Sequence, residues 1–226
     1  MVSKFVSIFN SRAVGTLMAG LRERQKAGRR RSILAAAQDL FQREGFEETR
    51  IERIAERAEV AAGTVYNHFQ SKGDLLLALV AQDGEEVRAA GRRVIASPAR
   101  DPVTAVRRLL EIYVDHSLVH LSKGMWRNAM ATALTQPDSP FGLGYAELDR
   151  KLAAQVADLL RVLQERGQIA RSIDCRVAGD VLFEVCNSLF MGFVAREAMS
   201  LAELKREMAR QVRLVFYGLL PAGDRD

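Results

Sequence analysis

Residues Thr49–Leu77 read TRIERIAERAEVAAGTVYNHFQSKGDLLL, and this stretch decides the fold of the N-terminal third of the chain. Apolar residues recur at helical spacing from Ile51 onward, which predicts a short amphipathic helix. Thr49 and Glu52 have the spacing of a capping box at the start of that helix. A second short helix is predicted over about 62–69, after a tight turn. The stretch therefore predicts two short helices joined by a turn.

The second predicted helix is too short to be stable alone, and its two faces differ. Val65 and Phe69 form an apolar pair that faces inward, whereas the outward face is small and polar. Ser71 is expected to cap a third helix, and Lys72 lies in its first turn, where a cation opposes the helix dipole. Lys72 is therefore interpreted as a contact for an external anion. This pattern is typical of a DNA-binding helix-turn-helix.

The run IAERAEVAAGTVYNHFQSKGDLL resembles the signature of the TetR/AcrR family of repressors. The resemblance covers Arg30 to Val80. Two positions depart from it: Glu59 stands where the family commonly has glycine, and Ala61 stands where it has serine or threonine. The resemblance implies an all-α chain of about nine helices. A three-helix DNA-binding domain with the helix-turn-helix would be followed by a helical bundle for ligand binding and dimerisation.

Carried over position by position, the resemblance implies two kinds of DNA contact. Phosphate contacts are expected from Thr64, Tyr66, His68 and Lys72. Base contacts are expected from Ala62, Gly63 and Asn67. Among these, the amide of Asn67 could pair with adenine and the methyl of Ala62 could meet thymine. Arg50, at the start of the preceding helix, is a further phosphate candidate.

The net charge of +5 is unevenly distributed along the chain. Residues 1–75 carry a net charge of +4, and residues 76–226 carry +1. A basic run precedes the motif, and its Arg29 and Arg30 are interpreted as phosphate or minor-groove contacts, although a solvated arm has the same composition. Residues 1–28 are expected to form a flexible basic arm. A native start at Met18, with residues 1–17 outside the native protein, is an alternative.

The remaining sequence predicts helices only. The first helix is expected over 32–44, and a long helix is expected from Ser71 to about Ile95. Further helices are predicted near 102–121, 123–135, 145–166, 174–198 and 200–219, with breakers at Pro137–Pro140 and Gly142–Gly144. The domains are thus placed at 29–76 for the helix-turn-helix and at 77–226 for effector binding and dimerisation.

The last two predicted helices carry apolar residues at three- and four-residue spacing, for example Val177, Val181 and Val185. Packing within one chain and a four-helix dimer interface both explain this spacing. The resemblance favours the second interpretation, because TetR-like repressors pair through their last helices. It also implies an effector cavity in the bundle, for which the candidate wall residues are Tyr113, His116, Trp126, Met130, Asn187 and Phe190.

Enzymatic and metal chemistry find little support in the sequence. His116 and His120 are four residues apart, but Ser117 stands where a zinc protease has glutamate, and no third ligand beyond common carboxylates is evident. No phosphate-binding loop or nucleophile elbow occurs. We therefore expect no catalytic residues, no metal and no cofactor.

These observations predict a cytoplasmic one-component transcriptional regulator, most simply a repressor. It would bind a palindromic double-stranded DNA operator as a homodimer and leave it when a small-molecule effector binds. No membrane association is expected, because the longest apolar run is far shorter than a membrane span. The alternative is a helical binding protein or enzyme with a vestigial helix-turn-helix. The effector, the operator and the sign of regulation do not follow from the sequence.

Overall fold

The computed structural model describes the backbone of residues 3–217 and the side chains of residues 23–217. Within this part of the chain, the secondary structure consists of nine helices without strands, which confirms the all-α prediction. The helices are α1 Ser3–Arg43, α2 Ile51–Arg57, α3 Ala62–His68, α4 Lys72–Ala96, α5 Pro102–His120, α6 Lys123–Thr135, α7 Pro140–Glu165, α8 Cys175–Ala195 and α9 Leu201–Tyr217. They form two compact units, Met1–Leu75 and Leu76–Asp226.

Helix α1 begins much earlier than the sequence predicted. The backbone is helical from Ser3, so most of the segment 1–28 that was expected to be a flexible arm belongs to the helix. Good helix formers such as Ala, Leu, Arg and Gln continue upstream of the apolar stripe, and they need no buried face to favour helix. The predicted start, Ser32, instead donates its hydroxyl to the carbonyl of Gly28 at 3.3 Å. The side chains of residues 1–22, including the proposed start at Met18, lie outside the described part.

The first unit has one small apolar core shared by its helices. Ile33 and Ala37 of α1, Ile54 of α2 and Val65 of α3 are all fully buried. Phe46 in the loop after α1 packs its ring against Phe41, with centroids 5.1 Å apart.

Exposed ion pairs connect α2 to α1 and to the residue that follows α1. Arg57 contacts Asp39 at 3.1 Å, and Arg53 contacts Glu44 at 3.2 Å. Burial of Ile51, Ile54 and Ala55 holds α2 in the core of this unit, and α2 carries α3 through the turn.

The helix starts of this unit agree with prediction in one case and differ in another. Ser71 caps α4 as predicted, because its Oγ accepts the backbone N–H of Asp74 at 3.1 Å. The predicted capping box at α2 is wrong. Thr49 is buried and donates its hydroxyl to the carbonyl of Gly45 at 2.7 Å, and Arg50 takes the cap position without a side-chain hydrogen bond.

In the second unit, helix α7 begins earlier than the predicted residue 145. Ser139 is the cap, and its Oγ accepts the N–H of Gly142 at 3.1 Å. Pro140 occupies the first turn, where its fixed φ favours a helix, so a residue that was interpreted as a breaker is a start signal. The two glycines at 142 and 144 lie inside the helix.

Helices α7 and α8 pack closely in this unit. A Cβ atom at Gly179 of α8 would lie 2.7 Å from the backbone nitrogen of Ala157 of α7, so only glycine fits there. Helix α8 is also the one helix in the described range that is long and apolar enough to cross a membrane. One face of α8 is buried in the unit, with Leu182, Phe183 and Phe193 in the core, which is typical of a core helix in a soluble protein.

Candidate nucleic-acid interface and ligand cavity

Helix α3 presents the predicted DNA-reading face to solvent. Val65, the apolar residue of the short helix, is fully buried and anchors it. Tyr66 is half exposed, and Gly63 and Asn67 are exposed, whereas Ala62, Thr64 and His68 are partly covered. The structure therefore brings the predicted α3 contacts to one outward surface, although their DNA contacts remain predictions.

Packing within the chain does not explain why residue 63 of α3 is a glycine. No atom lies within 4 Å of the position that a Cβ would occupy. Glycine in an exposed helix costs roughly 0.5–1 kcal/mol relative to alanine, so its presence does not serve the stability of this helix. The absence of a side chain at Gly63 would instead allow another molecule to approach α3 closely.

A basic cluster surrounds the C-terminal end of α3. The guanidinium of Arg30 stacks over the ring of Phe69, 4.6 Å from its centroid, which ties α1 to the residue that ends α3. Burial lowers the pKa of His68, and the positive charges of Lys26, Arg30 and Arg29 lower that pKa further. The predicted contacts Arg29, Arg30 and His68 thus share one positively charged region.

Lys72 and Arg50 differ in how freely they can reach a phosphate. Arg50 is exposed at the start of α2. Lys72 donates its ammonium to the carbonyl of Glu47 at 2.8 Å and lies 4.6 Å from the ring centroid of Phe46. Lys72 therefore also fixes the loop after α1, a role that the sequence did not predict.

The turn between α2 and α3 contains backbone strain. Glu59 has a φ of 55°, in the left-handed region that favours glycine. Ala61 caps α3 without a side-chain hydrogen bond. These are the two positions at which the sequence departs from its family resemblance, yet the turn keeps the predicted course.

The second unit contains an apolar cavity of about 60 Å³. Polar groups reach it from Asp83, Tyr113, Asp149 and Asn187. Four of the six predicted wall residues are in place: Tyr113, Trp126, Asn187 and Phe190. Their contact with an effector remains a prediction.

The other two predicted residues lie elsewhere. Met130 lines a neighbouring, more open pocket that shares Tyr145, Asp149 and Asn187 with the cavity. The side chain of His116 does not line the cavity, because its ring turns to Asp83 and Glu86 of α4. His116 lies on the cavity-lining helix α5, as predicted, but on a face of that helix that the helical period alone does not identify.

Sequence reasoning missed the contributions of α4 and of the acidic residues to the cavity wall. Gly84 and Val87 of α4 line it beside Leu148 and Asp149 of α7. Burial and the negative charge of Glu184 raise the pKa of Asp149 to about 7. No local sequence signal distinguishes such a carboxyl from an exposed one.

One hydrogen-bonded side chain links the cavity wall to α4. The hydroxyl of Tyr113 donates to Oε1 of Gln155 at 2.9 Å, and Nε2 of Gln155 donates to the carbonyl of Arg88 at 2.9 Å. Gln155 also lines an adjoining groove on the surface of this unit. The basic residues of that groove are Arg88, Arg92, Arg150 and Lys151.

Comparison with known families matches residues 33–79 to the bacterial regulatory proteins of the tetR family. The chain is 29% identical to the transcriptional repressor Rv1474c of Mycobacterium tuberculosis over 182 residues, which cover 80% of this chain and 88% of that protein. It is 26% identical to the regulator UidR of Escherichia coli K12, over 85% of this chain and 93% of that protein. A 35% match to the repressor KstR of Rhodococcus jostii spans only 37% of that protein.

Solved structures share the fold over most of the chain. Thermus thermophilus FadR, described as a transcriptional repressor in complex with lauroyl-CoA, superposes with a TM-score of 0.64 at 26% identity, covering 87% of this chain and 98% of that chain. A regulator from Mesorhizobium loti superposes with a TM-score of 0.64 at 24% identity, covering 85% of this chain and 96% of that chain.

Proposed function

The chain belongs to the TetR family of transcriptional regulators, and on that premise we propose that it is a cytoplasmic repressor released from DNA by a small molecule. It would act as a homodimer that places two α3 helices in successive major grooves of a palindromic operator, roughly 34 Å apart. The observation that carries the DNA-binding proposal is the outward face of α3. Its exposed Gly63 serves no packing within the chain, and a positively charged cluster surrounds the C-terminal end of the same helix.

DNA binding is tested with the DNA upstream of the protein's own gene. Fluorescence anisotropy is measured for that DNA and for a shuffled duplex of equal length, over a series of salt concentrations. Tighter binding to the upstream DNA, with affinity falling as salt rises, supports the proposal. Equal affinity for both duplexes at every salt concentration would instead favour the vestigial helix-turn-helix.

The dimer proposal is supported by an exposed apolar stripe on α8. Val177 and Val181 are each nearly half exposed, although they lie on the most apolar helix of the chain. Such a stripe is costly in water and suits a two-fold interface made by the last two helices of each chain.

Changing Val181 to glutamate should convert the dimer to a monomer in light scattering after gel filtration. The matched control is Val119→Glu, because Val119 is also an exposed valine but lies on α5. A Val181→Glu protein that remains dimeric would exclude this face as the interface.

The effector proposal starts from the size and chemistry of the cavity. At about 60 Å³ the cavity is far smaller than the roughly 300–1,000 Å³ of pockets that hold drug-sized ligands. An effector must therefore separate the walls, and one wall is α4 through Gly84 and Val87. Helix α4 begins at Lys72 beside the helix-turn-helix, so a movement of this helix provides a route to the DNA-binding unit.

Acyl-CoA thioesters are the effector class that this unit favours. The acyl chain would enter the apolar cavity, and the phosphates would lie in the basic groove beyond Gln155. A free fatty acid is less suitable, because its carboxylate would enter an apolar cavity whose lining residues include no lysine or arginine to pair with it. A related fold was solved with lauroyl-CoA, which provides the first probe.

Lauroyl-CoA should bind in calorimetry and release operator DNA, whereas lauric acid or CoA alone should bind much more weakly. Arg92→Glu should weaken lauroyl-CoA binding about tenfold or more, while the exposed Arg108→Glu control should not, because Arg92 lines the groove and Arg108 does not. If CoA alone released the operator, the acyl chain would not be the recognised group.

A further inference from the structure

A cluster of two histidines and two carboxylates joins α4 to α5, and only its Asp83 also lines the effector cavity. His120 Nε2 lies 2.9 Å from Oε2 of Glu86, and His116 Nε2 lies 3.6 Å from the same oxygen. The ligand atoms of these three residues all lie within 4.8 Å of one another. His116 and His120 are one turn apart on α5, and Asp83 and Glu86 are one turn apart on α4, so both pairs face the same space between the helices.

Asp83 orients His116. Its carboxylate is almost completely buried, and Oδ1 lies 3.1 Å from Nδ1 of His116. A carboxylate can only accept a hydrogen bond, so the proton of a neutral His116 ring is held on Nδ1. Nε2 then carries the lone pair and points to Glu86 and His120. This is the carboxylate–histidine arrangement that orients metal-ligating imidazoles in proteins.

The second oxygen of Glu86 is also occupied. Gln82, one turn earlier on α4, donates its side-chain amide to Oε1 of Glu86 at 3.3 Å. That hydrogen bond leaves Oε2 directed at the two histidines. The two side chains that approach Oε2 most closely are both histidines of α5, and each turns its Nε2 toward that oxygen.

We propose that His116, His120 and Glu86 bind one divalent transition-metal ion, with Asp83 as the positioning residue. Two imidazoles and one carboxylate are the donors of many zinc sites and of open iron(II) sites. Donor atoms around a metal at about 2.0–2.2 Å lie roughly 3–3.5 Å apart, and the two measured separations from Oε2 need only small side-chain movements. The side chains of His116, His120 and Glu86 are 22%, 27% and 42% exposed, so an ion can enter from solvent and keep water as a further ligand.

Charge favours a cation at this place. With both imidazoles neutral, Asp83 and Glu86 bring two negative charges to the cluster, and no lysine or arginine forms an ion pair with either carboxylate among the ion pairs of the described residues. A bound ion would link α4 to α5 by coordinate bonds. Because α4 also forms part of the cavity wall, a metal here would set how easily that wall moves.

The test uses the full-length protein without an affinity tag, and Zn²⁺ alone as the probe. Calorimetry should show one ion per chain with micromolar or tighter affinity, and Zn²⁺ should raise the melting temperature. His120→Gln and Glu86→Gln should each weaken binding at least a hundredfold. The matched control is Glu85→Gln, whose carboxylate is adjacent in sequence but pairs with Arg88 instead.

Asp83→Asn separates a positioning role from a merely structural one. It should keep the stoichiometry, weaken Zn²⁺ binding about 10–100-fold, and change the visible absorption of the Co²⁺-loaded protein, because the orientation of His116 changes. Zn²⁺ binding by histidines outside the cluster should be weak, since His68 is the one such histidine in the sequence. Absence of Zn²⁺ binding to the folded protein, or binding that is unchanged in Glu86→Gln and His120→Gln, would overturn the proposal and leave a histidine–carboxylate ion-pair network.

Discussion

The guanidinium of Arg30 lies 4.6 Å from the ring centroid of Phe69, so a residue of α1 is stacked on the residue that ends α3. The stacking fixes a positive charge within the electrostatic reach of His68, whose pKa is lowered by burial and by the cations Lys26, Arg30 and Arg29. A phosphate at this position would raise the pKa of His68, which is opposite to the effect of these cations.

DNA affinity should therefore rise as pH falls. In the free protein, burial and the neighbouring cations hold the pKa of His68 below its ordinary value. A nearby phosphate would raise that pKa in the complex, so binding would take up a proton when the pH lies between the two values. We expect operator affinity to increase several-fold between pH 7.5 and pH 6, as measured by anisotropy at constant ionic strength. His68→Gln should flatten this dependence. An unchanged pH profile in His68→Gln would exclude a phosphate contact by this side chain.

Asn67→Ala should relax sequence specificity. The exposed amide can form two hydrogen bonds with adenine, and its loss should cost about 1–3 kcal/mol at particular base pairs while affinity for random DNA changes little. The measurement is a panel of operators with single substitutions. Gln70→Ala removes an exposed amide just beyond α3 and serves as the control. Equal weakening on operator and random DNA would assign Asn67 to the phosphate backbone.

Gly63→Ala should separate stability from DNA binding. A Cβ at this position meets open space, so alanine should raise the free energy of unfolding by roughly 0.5–1 kcal/mol. The same methyl group should weaken operator binding at least tenfold if the DNA approaches α3 closely there. Gly124→Ala in α6 is the control for the stability effect alone, because the nearest atom is 3.6 Å from its Cβ position. Unaltered DNA binding in Gly63→Ala would remove Gly63 from the interface.

Glu59→Gly should stabilise the turn of the helix-turn-helix. The φ of 55° at Glu59 is strained for a residue with a side chain and unstrained for glycine. After allowance for the greater freedom of glycine in the unfolded chain, we expect a gain of about 0.5–1 kcal/mol in urea unfolding. Glu59→Ala removes the carboxylate and keeps the strain, so a similar gain in that variant would attribute the effect to charge.

Asp149→Asn should make stability less dependent on pH. The folded-state pKa of about 7 lies above the ordinary value of 3.8, so the folded protein holds a proton that the unfolded chain has lost between these pH values. Stability is therefore lost as pH rises from about 4 to 7. The full pKa shift of Asp149 corresponds to about 4 kcal/mol of unfolding free energy. Asparagine should stabilise the protein at pH 8 by less than this, roughly 1–3 kcal/mol, because local relaxation reduces the free-energy cost of the charged carboxylate. The exposed Asp138→Asn should leave the pH profile unchanged.

The sequence predicted those parts of the molecule that follow from local period and spacing. The outward face of α3 followed from Val65 and Phe69, and the cap at Ser71 followed from residue type. Contacts between distant segments were not predictable. The pairing of Arg57 with Asp39 and of His116 with Asp83 depends on how helices pack, and a helical period identifies a face without its partner. The start of α7 was missed because Pro140 has opposite meanings inside a helix and at its first turn.

The close packing of α4 on α7 depends on two glycines of α4. A Cβ at Gly84 would overlap Leu148, and one at Gly91 would overlap the amide of Gln155, which holds the hydroxyl of Tyr113. A methyl group at either position would press on the space that an effector has to open. We expect an alanine at either position to act on α4 as a bound effector would. One added carbon atom would then change the effector concentration at which this regulator responds.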